Sequence, residues 1–286
     1  MNRDGRHSIL AGKGAVASAP GPVAVIFAED SVELDSTLAH HENLGFRTLL
    51  LIGESPFADI EERPGLHVLH EPITGARDAA SALNRLVPAL AGKWVYWCFN
   101  AEYLFFPFCE TRTIRDVLSF VESERREAVF TYTIDLYADD LGRYPDAVSP
   151  ENAYLDRSGY YGTTRRTGDT WHEREIEVFG GLRWRFDEHV PADRRRIDRI
   201  SLFKAAKGRE IGADFRLNES ELNTISCPWH NNLTMAVVSF RTAKSLKLNP
   251  GSAYDIDSFM WSRSGRFNWS SAQLMKLGFM EPGQWF

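Results

Sequence analysis

The sequence predicts an α/β fold with a mostly parallel, twisted sheet flanked by helices and a C-terminal part that also contains strands. Three observations predict it. Short apolar runs alternate with helix-length segments from residue 22 to residue 136. Turn residues separate these segments, as expected for β-α-β units with right-handed crossovers. The most apolar run, 94–99, reads as a central strand buried on both faces of the sheet.

Apolar runs define the strands of this first part of the chain. The predicted strands are 22–28, 47–52, 66–69, 94–99 and 128–136. A β-α alternation of this kind is typical of a doubly wound sheet with helices on both faces.

Helical spacing defines the segments between the strands. Asp30 and Glu33 have the spacing of a capping box at the start of the first helix. Leu34, Leu38 and His41 then lie on one face, which predicts that His41 is packed and partly buried. Further helices are predicted from the apolar spacing within 79–90 and 114–121.

The pattern changes after Tyr137. Residues 138–172 show no clear periodicity and predict a long polar loop, a feature that is usually functional or mobile. Strands are predicted at 175–185 and 197–204, and a last short helix at 269–277. Leu233, Ala236, Val237 and Phe240 mark a further helix, while 250–266 reads as irregular.

Composition excludes several classes of protein. The 286 residues carry a formal charge of −6, which argues against general nucleic-acid binding. The three cysteines form no CxxC pair, which indicates reduced thiols and a cytoplasmic location. No apolar run approaches the roughly 20 residues of a membrane span. Residues 1–20 are rich in Gly, Ala and Ser and read as a flexible tail.

Several short motifs occur in an order that is known from one enzyme family. These motifs are 40–46 (HHENLGF), 94–104 (WVYWCFNAEYL), 135–137 (DLY), 154–156 (YLD), 180–183 (GGLR) and 200–204 (ISLFK). Together they resemble the family 2 glycosyltransferases of the GT-A fold, in the bacterial branch of short, stand-alone enzymes. The resemblance implies one GT-A-like domain over 21–286, with a nucleotide-sugar-binding half to residue 137 and an acceptor-side half from 138 to 286.

The metal motif of that family is degenerate in this chain. The two metal-binding aspartates would fall at Phe99 and Ala101, neither of which can ligate Mg²⁺ or Mn²⁺. Of that motif only Glu102 remains, so no metal ligand is assigned and no cofactor is expected, although Mn²⁺ or Mg²⁺ stays possible.

Polar residues at strand ends are the candidate nucleotide-sugar contacts. By the resemblance, Glu29 and Asp30 follow the first strand and Ser55 the second, while Asn100 ends the central strand and Arg183 belongs to the GGLR motif. Ligands of open α/β sheets bind outside the carboxyl ends of the strands.

The acceptor hydroxyl needs a base, for which three catalytic candidates stand out: Glu102, Asp156 and His230, with Glu221 also open. Glu102 is expected in a turn, half-exposed and facing the pocket, or alternatively as a carboxylate that caps the turn. His230 has aromatic neighbours, and a lone His in such surroundings is more often structural than catalytic.

Cationic side chains could replace a metal at the leaving diphosphate, because Arg pairs with phosphate oxygens through two parallel bonds. The candidates are Arg165, Arg166, Arg183, Arg185 and the run 194–196, all of which could instead be solvated surface charges. A second DxD string, 255–257, lies outside the β-α pattern and is a weak metal candidate.

Two hypotheses follow. The first is a hexosyltransferase-type glycosyltransferase that moves a sugar from a nucleotide-sugar donor to an unknown glycan or polysaccharide, with weak or no metal dependence. The alternative is a catalytically silent relative that binds a sugar nucleotide, a glycan or a protein. The oligomeric state is left open.

Overall fold

The computed structural model describes residues 16–55, 57, 59–225 and 232–285. The strands are β1 (Val23–Ala28), β2 (Thr48–Gly53), β3 (Leu66–His70), β4 (Trp94–Phe99), β5 (Glu102–Phe105), β6 (Ala128–Ala138), β7 (Ala153–Asp156), β8 (Tyr161–Thr167), β9 (Thr170–Phe179), β10 (Asp198–Lys204), β11 (Met235–Ser239) and β12 (Ser264–Arg266). The helices are α1 (Leu34–Asn43), α2 (Ala76–Leu86), α3 (Ile114–Ser123), α4 (Leu182–Arg185), α5 (Arg241–Leu248), α6 (Pro250–Asp255) and α7 (Ser271–Lys276).

The chain divides into two compact units, each built from several segments. Unit 1 contains the chain up to Tyr103, Arg112–Val129 and Arg199–Asn223. Unit 2 contains Leu104–Thr111, Phe130–Asp198 and the chain from Thr224 onward.

Unit 1 holds a largely parallel sheet in the order β10-β4-β1-β2-β3. The pairs β1–β2, β2–β3 and β1–β4 are parallel, and β10 is antiparallel to β4. Every residue of β1, β2 and β4 is buried, as is typical of strands covered on both faces. The prediction of a mixed α/β fold with 94–99 inside the sheet is therefore confirmed.

In unit 2, β6 pairs in parallel with β11 and antiparallel with β7, which in turn pairs with β12. The strands β8 and β9 form a separate antiparallel hairpin. The predicted structureless loop over 138–172 is wrong, because it contains β7 and β8. The polar side chains of this stretch hide the strand signal, since β8 is almost wholly exposed.

Three further element predictions in unit 2 are wrong. The region 233–240, which was predicted as a helix, contains the strand β11, and all five residues of that strand are buried. Short apolar runs fit a buried strand and a buried helix equally well. The strand predicted over 175–185 ends at Phe179, and the helix α4 follows two glycines. The segment 250–266 contains α6 and β12 rather than being irregular throughout.

Two predictions near the N-terminus also need correction. Helix α1 has Glu33 at its N-cap in the left-handed conformation and without a side-chain cap, so the predicted capping box is absent. Residues 16–20 are anchored rather than flexible: Val16 is buried, and Lys93 donates hydrogen bonds to the carbonyl oxygens of Ala17 and Ala19. Residues 1–15 of the predicted tail lie outside the described residues.

Candidate functional site

In unit 1, Asn100 fixes the carboxyl ends of two adjacent parallel strands. Its side-chain oxygen accepts a hydrogen bond from the amide of Glu29 at 3.0 Å. Its side-chain nitrogen donates to Oδ1 of Asp30 at 2.6 Å and to the carbonyl oxygen of Val32 at 2.9 Å. Asn100 is completely buried, while Glu29 and Asp30 are partly exposed. The loop after β1 is thus held in one shape and presents two carboxylates at this edge.

Glu102, in contrast, is buried in an ion pair. Its side chain accepts hydrogen bonds from two nitrogens of Arg199, at 2.7 and 3.3 Å, and from the amide of Phe99 at 3.0 Å. Its exposed fraction is 0%, so the expectation of a half-exposed turn carboxylate is wrong. The reason is Arg199 on β10, which lies 97 positions further along the chain.

These residues do not fit a divalent metal. Phe99 and Ala101 offer no oxygen ligand, and the carboxylate of Glu102 is already hydrogen-bonded to Arg199 and to a backbone amide. In the described parts of the chain, no group of three or more His, Cys, Asp or Glu side chains could hold a metal ion. The pair Asp255 and Asp257 is exposed, and His189 lies 3.6 Å from Asp255.

His41 belongs to the core of unit 1. It is completely buried, stacks on Tyr96 with ring centroids 5.1 Å apart, and its Nδ1 lies 2.8 Å from the carbonyl oxygen of Thr37. Burial, together with the charge of the neighbouring His40, lowers the pKa of His41 to about 3. The prediction that His41 is packed is confirmed, and its burial is complete rather than partial.

Ser55 lies in the loop after β2. Its hydroxyl donates to the carboxylate of Asp59 at 2.9 Å, in an exposed contact. This contact is local, and a nucleotide role for Ser55 stays a prediction.

In unit 2, Arg183 is bound to Asp135. Nε of Arg183 donates to Oδ1 of Asp135 at 3.2 Å and to the hydroxyl of Thr242 at 3.1 Å, while another nitrogen donates to the carbonyl oxygen of Arg196 at 2.8 Å. Burial raises the pKa of Asp135, and the guanidinium of Arg183 opposes that rise. Arg183 is therefore not a solvated surface charge.

Asp156 is the centre of a second buried cluster in unit 2. Its Oδ1 accepts hydrogen bonds from the hydroxyl of Tyr137 at 2.6 Å, from Arg185 at 2.9 Å and from the indole nitrogen of Trp261 at 2.7 Å. The guanidinium of Arg185 also lies 4.8 Å from the centroid of the Trp261 ring. These donors tie Asp156 to β6, α4 and the segment before β12.

The ring of Tyr160 packs directly against the backbone of Gly180. A Cβ atom on Gly180 would come within 2.2 Å of the Tyr160 ring, so a residue with a side chain would clash there. The hydroxyl oxygen of Tyr160 is buried and makes no hydrogen bond within the part of the chain that the structure describes. Burial raises the pKa of Tyr160, and the charges of Asp156 and Asp135 act in the same direction.

Four further cationic candidates form ion pairs: Arg165 with Glu175, Arg166 with Asp169, Arg195 with Asp187 and Arg196 with Glu177. Arg166 and Arg195 are the more exposed of the four and fit interleaved surface charges, whereas Arg165 and Arg196 are mostly buried. His230 lies outside the described residues, so its predicted role stays a prediction.

The structure thus brings Glu29, Asp30 and Asn100 together in unit 1, and Asp156 with Arg185 in unit 2. Sequence reasoning missed Arg199, Tyr160 and Trp261. A signal for Arg199 was present, because it is a charged residue in a predicted strand whose other members include the apolar Ile200, Leu202 and Phe203.

Comparisons with known proteins identify no family. No protein-family profile matches the sequence, and no curated protein matches it. Among solved structures, a UTP-bound UGPase of Acinetobacter baumannii is similar with a TM-score of 0.36 and 8% identity, over 82% of this chain and 97% of that chain. A Bacillus anthracis protein assigned as a glucose-1-phosphate thymidylyltransferase, in complex with sucrose, is similar with a TM-score of 0.30 and 10% identity, over 71% and 81%. Structural similarity this low identifies neither a family nor an activity.

One further finding concerns membranes. Within the described residues, no helix combines the length and the apolar character that crossing a bilayer requires.

Proposed function

We propose that this protein is a glycosyltransferase-like protein that binds a nucleotide sugar and transfers the sugar to a glycan or polysaccharide acceptor, with weak or no dependence on metal. The observation that carries the proposal is the arrangement around Asn100. Two adjacent parallel strands, β1 and β4, end at one edge, and Asn100 holds Glu29 and Asp30 there. Ligands of open α/β sheets bind at such an edge.

Each candidate has a chemical task in this proposal. The carboxylate of Asp30 is partly exposed and can accept hydrogen bonds from ribose or base groups, which are stronger when the acceptor is ionised. Ser55 follows β2, whose carboxyl end lies beside that of β1. A phosphate contact by Arg183 stays a prediction of the motif resemblance, because in unit 2 its guanidinium is bound to Asp135.

Transfer also needs a group that takes the proton of the acceptor hydroxyl. The carboxylate of Glu102 is hydrogen-bonded to Arg199, and that of Asp156 to Tyr137 and Arg185. The motif resemblance supports both residues as candidates together with His230, and all three catalytic roles stay predictions.

A second candidate function has its own supporting observation. Because the carboxylates of Glu102 and Asp156 both lie in buried ion pairs, the chain could bind a sugar nucleotide, a glycan or a protein without catalysing transfer. This is the catalytically silent relative considered from the sequence.

Turnover separates the two candidates. Purified protein is incubated with UDP-, GDP- and dTDP-sugars, once in EDTA and once in Mn²⁺, and release of the nucleoside diphosphate is measured. Thermal shift is recorded in parallel, since a ligand at about 100 times its Kd stabilises by about 2.7 kcal/mol. Release in EDTA supports the transferase. Stabilisation without release, with acceptor glycans present, favours the silent relative. The absence of both release and stabilisation would contradict the nucleotide-sugar proposal.

A further inference from the structure

The GT-A resemblance implies a metal beside Glu102, yet the residues at that edge do not fit one. The guanidinium of Arg199 is held on three sides. It forms a two-nitrogen pair with the carboxylate of Glu102, its Nε donates to the hydroxyl of Ser201 at 2.6 Å, and it lies 4.5 Å from the centroid of the Trp97 ring. Only 4% of the Arg199 side chain is exposed, so its guanidinium is shielded from solvent.

The pair also controls the turn at the end of β4. Oε2 of Glu102 accepts both from Arg199 and from the amide of Phe99, which closes the turn 99–102 with Ala101 in the left-handed region at φ 59°. Such a conformation is unusual for alanine and persists only where the surroundings enforce it. Asn100 lies inside this turn, so the side chain that holds the loop after β1 depends on the pair.

We infer that Arg199 is a positioning residue that supplies a cation at this edge: it pairs with Glu102, the one carboxylate that remains of the metal motif, and through Glu102 orients Asn100 toward Glu29 and Asp30. The inference rests on the proposed function in one respect only, namely that this edge binds a nucleotide sugar. Its structural part is testable without any ligand: the Arg199–Glu102 pair closes the turn 99–102, and Asn100 within that turn bonds Asp30.

The first test is amide hydrogen exchange of the free protein in two variants. Arg199→Lys keeps the charge and removes the planar two-nitrogen pairing. Arg209→Lys is the matched control, because Arg209 is equally buried in the same unit and pairs with Glu127 and Glu219, away from the turn. Exchange is followed at the amides of Phe99 and Glu29.

We expect exchange at these two amides to be at least about tenfold faster in Arg199→Lys than in the wild type, and unchanged in Arg209→Lys. Equal acceleration in both variants, or none in Arg199→Lys, would overturn the positioning role and leave an ordinary core ion pair. If Arg199→Lys does not fold, the double variant Glu102→Gln with Arg199→Gln replaces it with the same expectation.

The second test addresses the metal. Binding of Mn²⁺ alone is measured by electron paramagnetic resonance, and binding of UDP-glucose by calorimetry in EDTA and in Mn²⁺. We expect no stoichiometric Mn²⁺ binding at Glu102 and the same UDP-glucose affinity in both buffers. Tight Mn²⁺ binding that Glu102→Gln abolishes, or an affinity at least about tenfold higher in Mn²⁺, would overturn the inference. If UDP-glucose does not bind, the Mn²⁺ and exchange measurements still decide it, whereas the proposed function is judged on the full panel of nucleotide sugars.

Discussion

The hydroxyl of Tyr137 donates a 2.6 Å hydrogen bond to the buried carboxylate of Asp156. Removal of this hydroxyl leaves a charged acceptor with one donor fewer in a site that solvent does not reach. We expect Tyr137→Phe to lower the free energy of unfolding by about 1.5–3 kcal/mol, the usual contribution of a hydrogen bond to a charged group. Urea unfolding monitored by circular dichroism measures this change.

Tyr160→Phe is the matched comparison for that variant. The hydroxyl of Tyr160 is also buried but makes no hydrogen bond in the described part of the chain, so its removal relieves a desolvation penalty. We expect Tyr160→Phe to leave the free energy of unfolding unchanged or to raise it by about 1 kcal/mol. A loss as large as that of Tyr137→Phe would show that a water molecule or a ligand group bonds to this hydroxyl.

The Glu102–Arg199 pair leads to a prediction about stability. Glu102→Gln leaves Arg199 as a buried charge without its carboxylate, which typically costs about 3–5 kcal/mol. The double variant Glu102→Gln with Arg199→Met removes both charges at similar volume, and we expect it to regain most of that loss. Chemical denaturation of the wild type and the two variants measures both changes. A single variant as stable as the wild type would contradict the view that the pair is structural.

The sequence predicts the first part of the fold well because burial on both faces leaves a clear mark. The strands β1, β2 and β4 are continuous apolar runs, and each predicted boundary lies within one residue of the observed one. Asn100 and Asp30 were also predicted at the site, because a polar residue that directly follows a buried strand lies at the ligand-binding edge.

The environment of Glu102 could not be predicted in the same way. Its partner Arg199 is distant along the chain, and only the pairing of β10 with β4 brings the two together. The strand β11 shows the complementary difficulty: Ala236 and Val237 lie at positions that suit a helical face, yet parallel pairing with β6 decides the structure. Non-local pairing of strands is the information that periodicity does not contain.

His41 leads to a prediction about pH. Because burial lowers its pKa to about 3 from 6.5, the folded state keeps His41 neutral while the unfolded state takes up a proton. The contribution of this residue to stability is therefore fully present above pH 6.5 and is lost as the pH falls from there toward 3, by up to about 1.4 kcal/mol per pH unit.

The variant His41→Phe isolates this effect. Phenylalanine keeps an aromatic ring against Tyr96 and cannot take up a proton, so its unfolding free energy should fall less steeply with acid than that of the wild type. Urea denaturation at a series of pH values from about 7 to about 4 measures both slopes. Parallel slopes for the two proteins would show that His41 titrates normally in the folded state.

The central claim is that the edge formed by β1 and β4 binds a nucleotide sugar, and calorimetric titration of UDP-, GDP- and dTDP-sugars against Asp30→Asn tests it most directly. The variant keeps the shape of the side chain and removes its charge. Glu210→Gln makes the same change in charge at an exposed position of unit 1 and serves as the control. We predict that one nucleotide sugar binds the wild type and the control equally, and Asp30→Asn about tenfold more weakly, a difference of about 1.4 kcal/mol. Absence of binding across the panel, or equal affinity in all three proteins, would contradict the claim.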